Sequence, residues 1–382
     1  MTRSCSILNQ LLQLFPRTDF QRAVQETRAE RHARGFTCWG QFVAMLFCQL
    51  GHAQSLREIC GGLASCEGKL SHLGVVAPRR STLAYANAHR PWQLYRTVFY
   101  QLLARCRAVP RGTKFRFKNP LLTLDATMID LCPEMFPWAT YQRLKGAVKL
   151  HFTLDHEGYL PTVLVITEGR VRETTIAQQQ RFAPGTILIF DRGYVNLRWF
   201  MTLTRQGIYF VTRQHTPANF AVVDQQAVPT IGGIVADQRI RFRKTAWWKY
   251  PAPLRRVVVE TPDRQLELLT NHLTLGATTV ARIYRDRWQI ELFFKALKQH
   301  LHVKTFVGTS ANALHIQVWT ALIALLLLKY LQLKARFGWS LSNLIALLRM
   351  NLFVYRDLWA WLHAPFEVPL GEPLPAQAAL SW

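Results

Sequence analysis

Apolar positions in the first hundred residues recur at helical spacing. Phe42, Leu46 and Leu50 fall four apart, and Leu56, Ile59 and Leu63 continue three and four apart, so residues 6–107 predict several short helices. Ser81, just after Arg79 and Arg80, is a candidate N-cap, and the stretch 55–89 has the length of a helix-turn-helix. After Val109-Pro110-Arg111-Gly112 the period shortens. Residues 121–125, 148–154 and 160–166 predict strands, the last two joined by a hairpin turn at Asp155-His156-Glu157-Gly158. A helix over 173–182, a buried-type strand over 187–190, a helix over 195–205 and a strand over 208–212 complete an α/β pattern with a mixed sheet.

Residues 215–272 read differently. Short strands at 220–223, 240–242, 254–260 and 266–270, separated by Pro, Gly and Asp, predict a mostly β insertion. From Thr278 one strong helix is expected to about His300, with further helices over 310–362 and an irregular tail from Ala364. The expected organisation is a helical basic domain over 1–112, an α/β core over 113–214 and 273–335, the insertion over 215–272, and C-terminal helices with a tail over 336–382.

Charge changes the picture. Forty-seven Lys and Arg against twenty-three Asp and Glu give +24, which points to a polyanion as partner. Residues 1–118 carry +13 of that and 119–214 only +2, so DNA contact is expected from the N-terminal third and a carboxylate-bearing site from the middle. The longest near-apolar stretch, 318–328, is eleven residues, short of the roughly 20 that span a bilayer. It is expected to pack as a buried helix behind the sheet, with no membrane partner. The N-terminus shows no signal-peptide pattern, and seven cysteines without a CxxC pair argue for reduced, cytoplasmic thiols rather than a zinc module.

Acids are scarce, so their places carry information. Asp125 ends the apolar run 121–125 and Asp191 follows the run 187–190, and ligand sites of open α/β sheets lie beyond strand carboxyl ends. Tyr284, Arg287, Glu291 and Lys298 lie 0, 3, 7 and 14 residues along the predicted helix, which at about 100° per residue makes one stripe roughly 60° wide. Ile283, Ile290, Phe293, Phe294 and Leu297 fill the neighbouring face. Three carboxylates on separate elements suit a two-metal site that clamps the attacking and leaving oxygens of a phosphodiester. Taken alone, the stripe is equally an Arg287–Glu291 helix pair on a solvated face. Lys149 and His151 share a strand face that could meet the site or simply be sheet surface. Trp247 and Trp248, read as strand residues, are expected to pack in the core, with stacking on a flipped base as the functional alternative.

The segments LDAT at 124–127, GAVKLH at 146–151, DRGY at 191–194 and YRDRWQIELFFKALKQ at 284–299 resemble the bacterial DDE insertion-sequence transposases of the IS-four group. The last segment satisfies that group's Y-x2-R-x3-E-x6-K signature at Tyr284, Arg287, Glu291 and Lys298. The resemblance covers about residues 119–330. It implies a ribonuclease-H-like core with a β insertion between the second Asp and the Glu. It also implies two Mg²⁺ ions, replaceable by Mn²⁺, and cut-and-paste chemistry by a homodimer on inverted terminal repeats and target DNA. Carried over, it makes Asp125, Asp191 and Glu291 the catalytic metal ligands and Tyr284, Arg287 and Lys298 the phosphate contacts, with Arg192 as a further DNA contact. The expected location is the bacterial cytoplasm, at the nucleoid. Alternatives are a domesticated, non-cutting DNA binder and a ribonuclease-H-like nuclease; the intact signature and the basic N-terminal third favour the transposase.

Overall fold

The computed structural model describes all residues except 1–4, 32, 34, 71–72, 110–118, 133, 143–144, 215–218, 301–305 and 368–382. The chain divides into two compact units: Met1–Val109 with His300–Gly308 and Asn312–Trp382, and Pro110–Gln299 with Thr309–Ala311.

In the first unit the helical spacing is satisfied by α1 (Ile7–Leu12), α2 (Arg17–Thr27), α3 (Cys38–Leu50), α4 (Leu56–Ala64), α5 (Glu67–Leu70), α6 (Arg80–His89) and α7 (Gln93–Arg107). Phe42, Leu46 and Leu50 are buried on α3, which is covered on every face. A reciprocal cap starts α4: Ser55 Oγ accepts from the Glu58 N–H at 3.2 Å, and Glu58 Oε2 accepts from the Gln54 N–H at 2.9 Å. Ser81 is not the cap of its helix. The first turn of α6 already contains it, Arg79 holds the N-cap position, and no side chain caps there.

Among the described residues the second unit forms a sheet of ten strands. They are β1 (Leu121–Leu131), β2 (Thr140–Gln142), β3 (Lys145–Asp155), β4 (Leu160–Glu168), β5 (Ile187–Phe190), β6 (Tyr209–Arg213), β7 (Phe220–Gln225), β8 (Ile234–Phe242), β9 (Leu254–Glu260) and β10 (Gln265–Thr270). Its helices are α8 (Glu173–Gln179), α9 (Leu197–Arg205), α10 (Lys244–Lys249), α11 (Ala277–Asp286) and α12 (Trp288–His300). Strand β3 pairs antiparallel with β4 and β1, and β1, β5 and β6 are mutually parallel. The order β4-β3-β1-β5-β6 is that of a ribonuclease-H-like core, as expected. The hairpin between β3 and β4 turns at Gly158, whose φ of +85° only glycine adopts without strain. The β insertion does not stand apart: β10 pairs with β6, so β7 to β10 prolong the same sheet.

One face of β5 and β6 packs Phe190 and Phe210 against Phe200 of α9, while the other packs Ile189 and Val211 against Val280 and Ile283 of α11. That second face carries the helix that completes the candidate site. On β8 and β9 a buried bidentate pair, Arg255 Nε and Nη2 on Asp237 at 2.8 and 2.6 Å, joins the insertion strands, and Arg255 also donates to the Leu275 carbonyl.

Three more helices, α13 (Ala311–Lys334), α14 (Leu341–Asn351) and α15 (Leu358–His363), follow. The apolar run expected behind the sheet instead lies, almost entirely, with the first unit. Within α13, Trp319 stacks near Trp92 and Phe99, and the Leu326 carbonyl accepts from the Cys106 thiol at 3.7 Å. At 24 residues α13 is long and apolar enough to cross a bilayer by length and composition, and 83% of its most apolar stretch is covered by protein. In this unit α1 is tied to the segment after α14, where the Ile7 and Leu8 N–H groups donate to the Val354 and Leu352 carbonyls. The irregular tail expected from Ala364 lies mostly outside the described residues.

The Asp237–Arg255 pair makes a stability prediction. Asp237→Ala leaves a buried guanidinium uncompensated and is expected to cost about 3–5 kcal/mol, read as a lower urea midpoint.

Candidate active site

Two parallel strands put the two aspartates side by side. Thr123 is level with Ile189 in the β1–β5 register, so two residues further Asp125 comes level with Asp191. Adjacent strands lie about 4.8 Å apart, which holds the two carboxylates as neighbours. Asp191 falls just past the end of β5. Asp125 does not end its strand, contrary to the sequence reading: β1 runs on to Leu131 because its β3 edge stays paired, with Asp125 opposite Phe152. Backbone donors orient both groups. Asp125 Oδ1 accepts from the Ala126 N–H at 2.8 Å, and Asp191 Oδ1 accepts from the Gly193 N–H at 2.8 Å, capping the tight turn Arg192–Tyr194.

The expected single helix is broken. Helices α11 and α12 meet at Arg287, where the Arg287 N–H donates to the Tyr284 carbonyl and the Ile290 N–H to the Arg287 carbonyl, both three residues back. The apolar face is as expected, with Ile283, Ile290, Phe293, Phe294 and Leu297 all buried. From the break, Arg287 Nη2 donates to Glu291 Oε1 at 2.6 Å, and Nη1 lies 3.4 Å from Asp125 Oδ2. The Arg287 guanidinium also sits 5.8 Å from the Tyr284 ring centre. It bridges two of the three signature acids, which is more than the helix pair that spacing alone allows.

Other expected residues stand further out. Lys298 is half-buried two turns along α12, and Arg192 is exposed beside Asp191. Lys149 Nζ donates to the Val171 carbonyl at 3.0 Å and lies 3.6 Å from Glu173 Oε1, while His151 is buried with Nε2 2.9 Å from Thr167 Oγ1. Trp247 and Trp248 are neither strand residues nor core. They lie on α10, with their rings 4.8 Å apart, and Trp248 is 79% exposed.

Two features escaped the sequence reading. Glu173, the first residue of α8, is close enough to raise the proton affinity of Asp125; the scarcity of acids was the signal that could have flagged it. A buried chain of polar groups links Thr123 Oγ1 to His156 Nε2 (2.6 Å) and His156 Nδ1 to Asp286 Oδ2 (2.7 Å), which also accepts from the Tyr159 hydroxyl at 2.9 Å. Nothing in the spacing of these residues announces that chain.

The electrostatics follow from crowding. Burial pushes the Asp125 carboxyl up to about 7; the Ala126 N–H and Arg287 pull it down, and Asp191 and Glu173 push it up again. Burial likewise raises Glu173, with Lys149 opposing and Asp191 adding to the rise. Tyr284 is raised by burial, with Arg287 opposing, so its hydroxyl keeps its proton. Among the described residues no three acidic, histidine or cysteine groups converge closely enough to hold an ion as they stand, and Arg287 engages Glu291. The donors are carboxylate oxygens, the chemistry of a hard divalent cation, and the mutual repulsion at Asp125 is what such a cation would relieve.

Because the folded-state value of Asp125 lies above its unfolded value of 3.8, the unfolded chain binds fewer protons between about pH 4 and 7. Metal-free stability should therefore fall as pH rises through that window, by on the order of 4 kcal/mol for this group. Asp125→Asn should remove this part of the slope, so that in EDTA it gains on the wild type at pH 8 relative to pH 5. Parallel denaturation profiles for the two proteins would contradict the shift.

Known proteins resemble the chain that carries these residues. Residues 116–327 match the family model described as a transposase DDE domain, and residues 3–76 match a domain family of unknown function. A putative transposase of Sinorhizobium fredii is 31% identical over 311 residues, covering 79% of this chain and 86% of the relative. A putative transposase for an insertion sequence element of Synechocystis is 33% identical over 276 residues, covering 69% and 75%. The piggyBac transposase synaptic complex with hairpin DNA aligns over 97% of this chain and 84% of its own at 10% identity and a TM-score of 0.43. With the DDE model spanning more than half of its length and a relative above 30% identity matched over 79% of it, the chain belongs to the bacterial DDE insertion-sequence transposases.

Proposed function

We propose that Asp125, Asp191 and Glu291 are the metal-holding carboxylates of this DNA transposase. On this reading the protein cuts the inverted terminal repeats of an insertion sequence as a homodimer and joins the 3′-OH ends to target DNA, in the cut-and-paste manner of the IS-four group. The observation that carries the reading is Arg287 lying on both Asp125 and Glu291, beside an Asp191 level with Asp125. The family acts with divalent metal; here the ions are Mg²⁺, or Mn²⁺ in its place. When bound, two such ions supply Lewis-acid polarisation of the scissile phosphate.

The chain's own residues do the rest. Arg287 moves its planar fork from carboxylates to a phosphate of the transposon end, a geometry that matches phosphate oxygens two at a time. Tyr284, kept protonated, donates its hydroxyl to the same backbone, and Lys298 adds a point charge from the next turns of α12. Arg192 extends the basic contact beside Asp191. The basic N-terminal helices bind duplex DNA, with α4 to α6 as the helix-turn-helix element, and the enzyme works at the nucleoid of a bacterial cytoplasm.

Asp125→Ala, Asp191→Ala and Glu291→Ala should each reduce Mg²⁺-dependent cleavage of end DNA to background while gel-shift binding survives, because affinity comes from cations on phosphates. Arg287→Ala should lower cleavage about a hundredfold, with Arg287→Lys recovering only part of the loss. Wild-type cleavage in any one of the acid variants removes that residue from the site.

Trp248 offers an exposed ring on a short helix flanked by Lys244 and Lys249, suited to stacking on a base swung out of the duplex. Trp248→Ala should slow end cleavage and restore the fluorescence of a 2-aminopurine placed next to the cut, whereas Trp248→Phe should keep most of both. Unchanged fluorescence in Trp248→Ala would return this residue to a plain surface role.

A further inference from the structure

The structure assigns Glu173 to the same cation site as a fourth carboxylate. This inference rests on the reading of Asp125 and Asp191 given above and adds a residue outside the signature.

The geometry is set around Gly193. A methyl group built there would lie 3.1 Å from Asp191 Oδ1 and 3.7 Å from Glu173 Oε2, so both carboxylates face one small space over that residue. The backbone of Gly193 has no left-handed φ to explain the glycine; the space it leaves open is the physical requirement. Helix α8, which Glu173 opens, packs against β1 and against the turn Arg192–Tyr194. The turn is the one that Asp191 caps, so the acid is delivered to the two-aspartate end of the sheet. Its negative charge is felt there, contributing to the upward shifts of both Asp125 and Tyr194.

An acid in a first helical turn is ordinarily explained by the helix dipole and a nearby lysine. That explanation is incomplete here. Lys149 pairs with Glu173 Oε1 at 3.6 Å, longer than the roughly 2.7–2.9 Å of a charge-assisted hydrogen bond, and also donates to the Val171 carbonyl at 3.0 Å. The Glu173 side chain is 30% exposed, so it is neither sealed in the core nor fully hydrated. Three acids crowd one end of the sheet, while Arg287 is committed to Asp125 and Glu291. A hard divalent cation takes six or more oxygen ligands, and a flexible glutamate beside two backbone-fixed aspartates supplies one that adapts. Lys149 then acts as the counter-charge that holds Glu173 near the site before the cation arrives.

Calorimetric titration of the full-length protein with Ca²⁺ tests this without turnover. Glu173→Gln should weaken Ca²⁺ binding about tenfold or more, with the thermal midpoint in EDTA close to that of the wild type. Gly193→Ala, which keeps every charge and fills the shared space, should weaken it as well and serves where Glu173→Gln does not fold. Wild-type affinity in both variants, with Asp125→Asn and Asp191→Asn losing binding, overturns the role of Glu173 and leaves the two-aspartate reading standing. Wild-type affinity in all four variants overturns both.

Discussion

The guanidinium of Arg287 holds apart and holds together the charges on which this site depends. Parallel pairing of β1 and β5 brings Asp125 level with Asp191, and burial removes much of the water that would screen them. A third acid, Glu291, arrives from α12. Without a cation among them these groups would repel each other or take up protons, as the raised Asp125 already indicates. Arg287, bonded to Glu291 at 2.6 Å and 3.4 Å from Asp125, compensates part of that charge within the chain itself. The arrangement is poised rather than satisfied. An arginine can exchange carboxylates for phosphates with little change of geometry, and on the proposed reading the acids it leaves then take metal.

Much of this was legible in the sequence. The strand pattern from residue 121 to 212 and the β insertion after it can be read from period-2 runs and turn residues, and the apolar positions of α12 from their spacing. The position of Asp125 within its strand was not legible, because a strand ends by losing partners and β1 keeps β3 as its partner beyond the apolar run. The break at Arg287 was hidden too. No proline or glycine marks it; it shows only in the three-residue bonds from Arg287 to Tyr284 and from Ile290 to Arg287. Trp247 and Trp248 misled the reading because hydrophobic side chains default to the core, whereas on α10 they face outward.

The apolar run of α13 shows a different limit. Its composition foretold a buried helix, but composition carries no address. Which surface covers it depends on complementary shape, here Trp92, Phe99 and Cys106 of the N-terminal helices. Residues 1–109, which carry +9 of the net charge, thus belong to a unit that also contains the C-terminal helices.

The break at Arg287 would be a weakness if only the Arg287–Glu291 bond defined it, since a single i,i+4 helix pair contributes a few tenths of a kcal/mol. The neighbouring residue supplies the missing constraint. Asp286 is buried and bonded to His156 and Tyr159 of the β3–β4 hairpin, and His156 reaches Thr123 on β1. Thr123 lies two residues before Asp125, on the same strand face. The junction of α11 and α12 is therefore tied to the strand that carries the first aspartate by a separate set of polar groups. That separation matters chemically. On the proposed reading Arg287 lets go of Asp125 and Glu291 when phosphate and cation compete for them, while the buried polar chain keeps the helix in place.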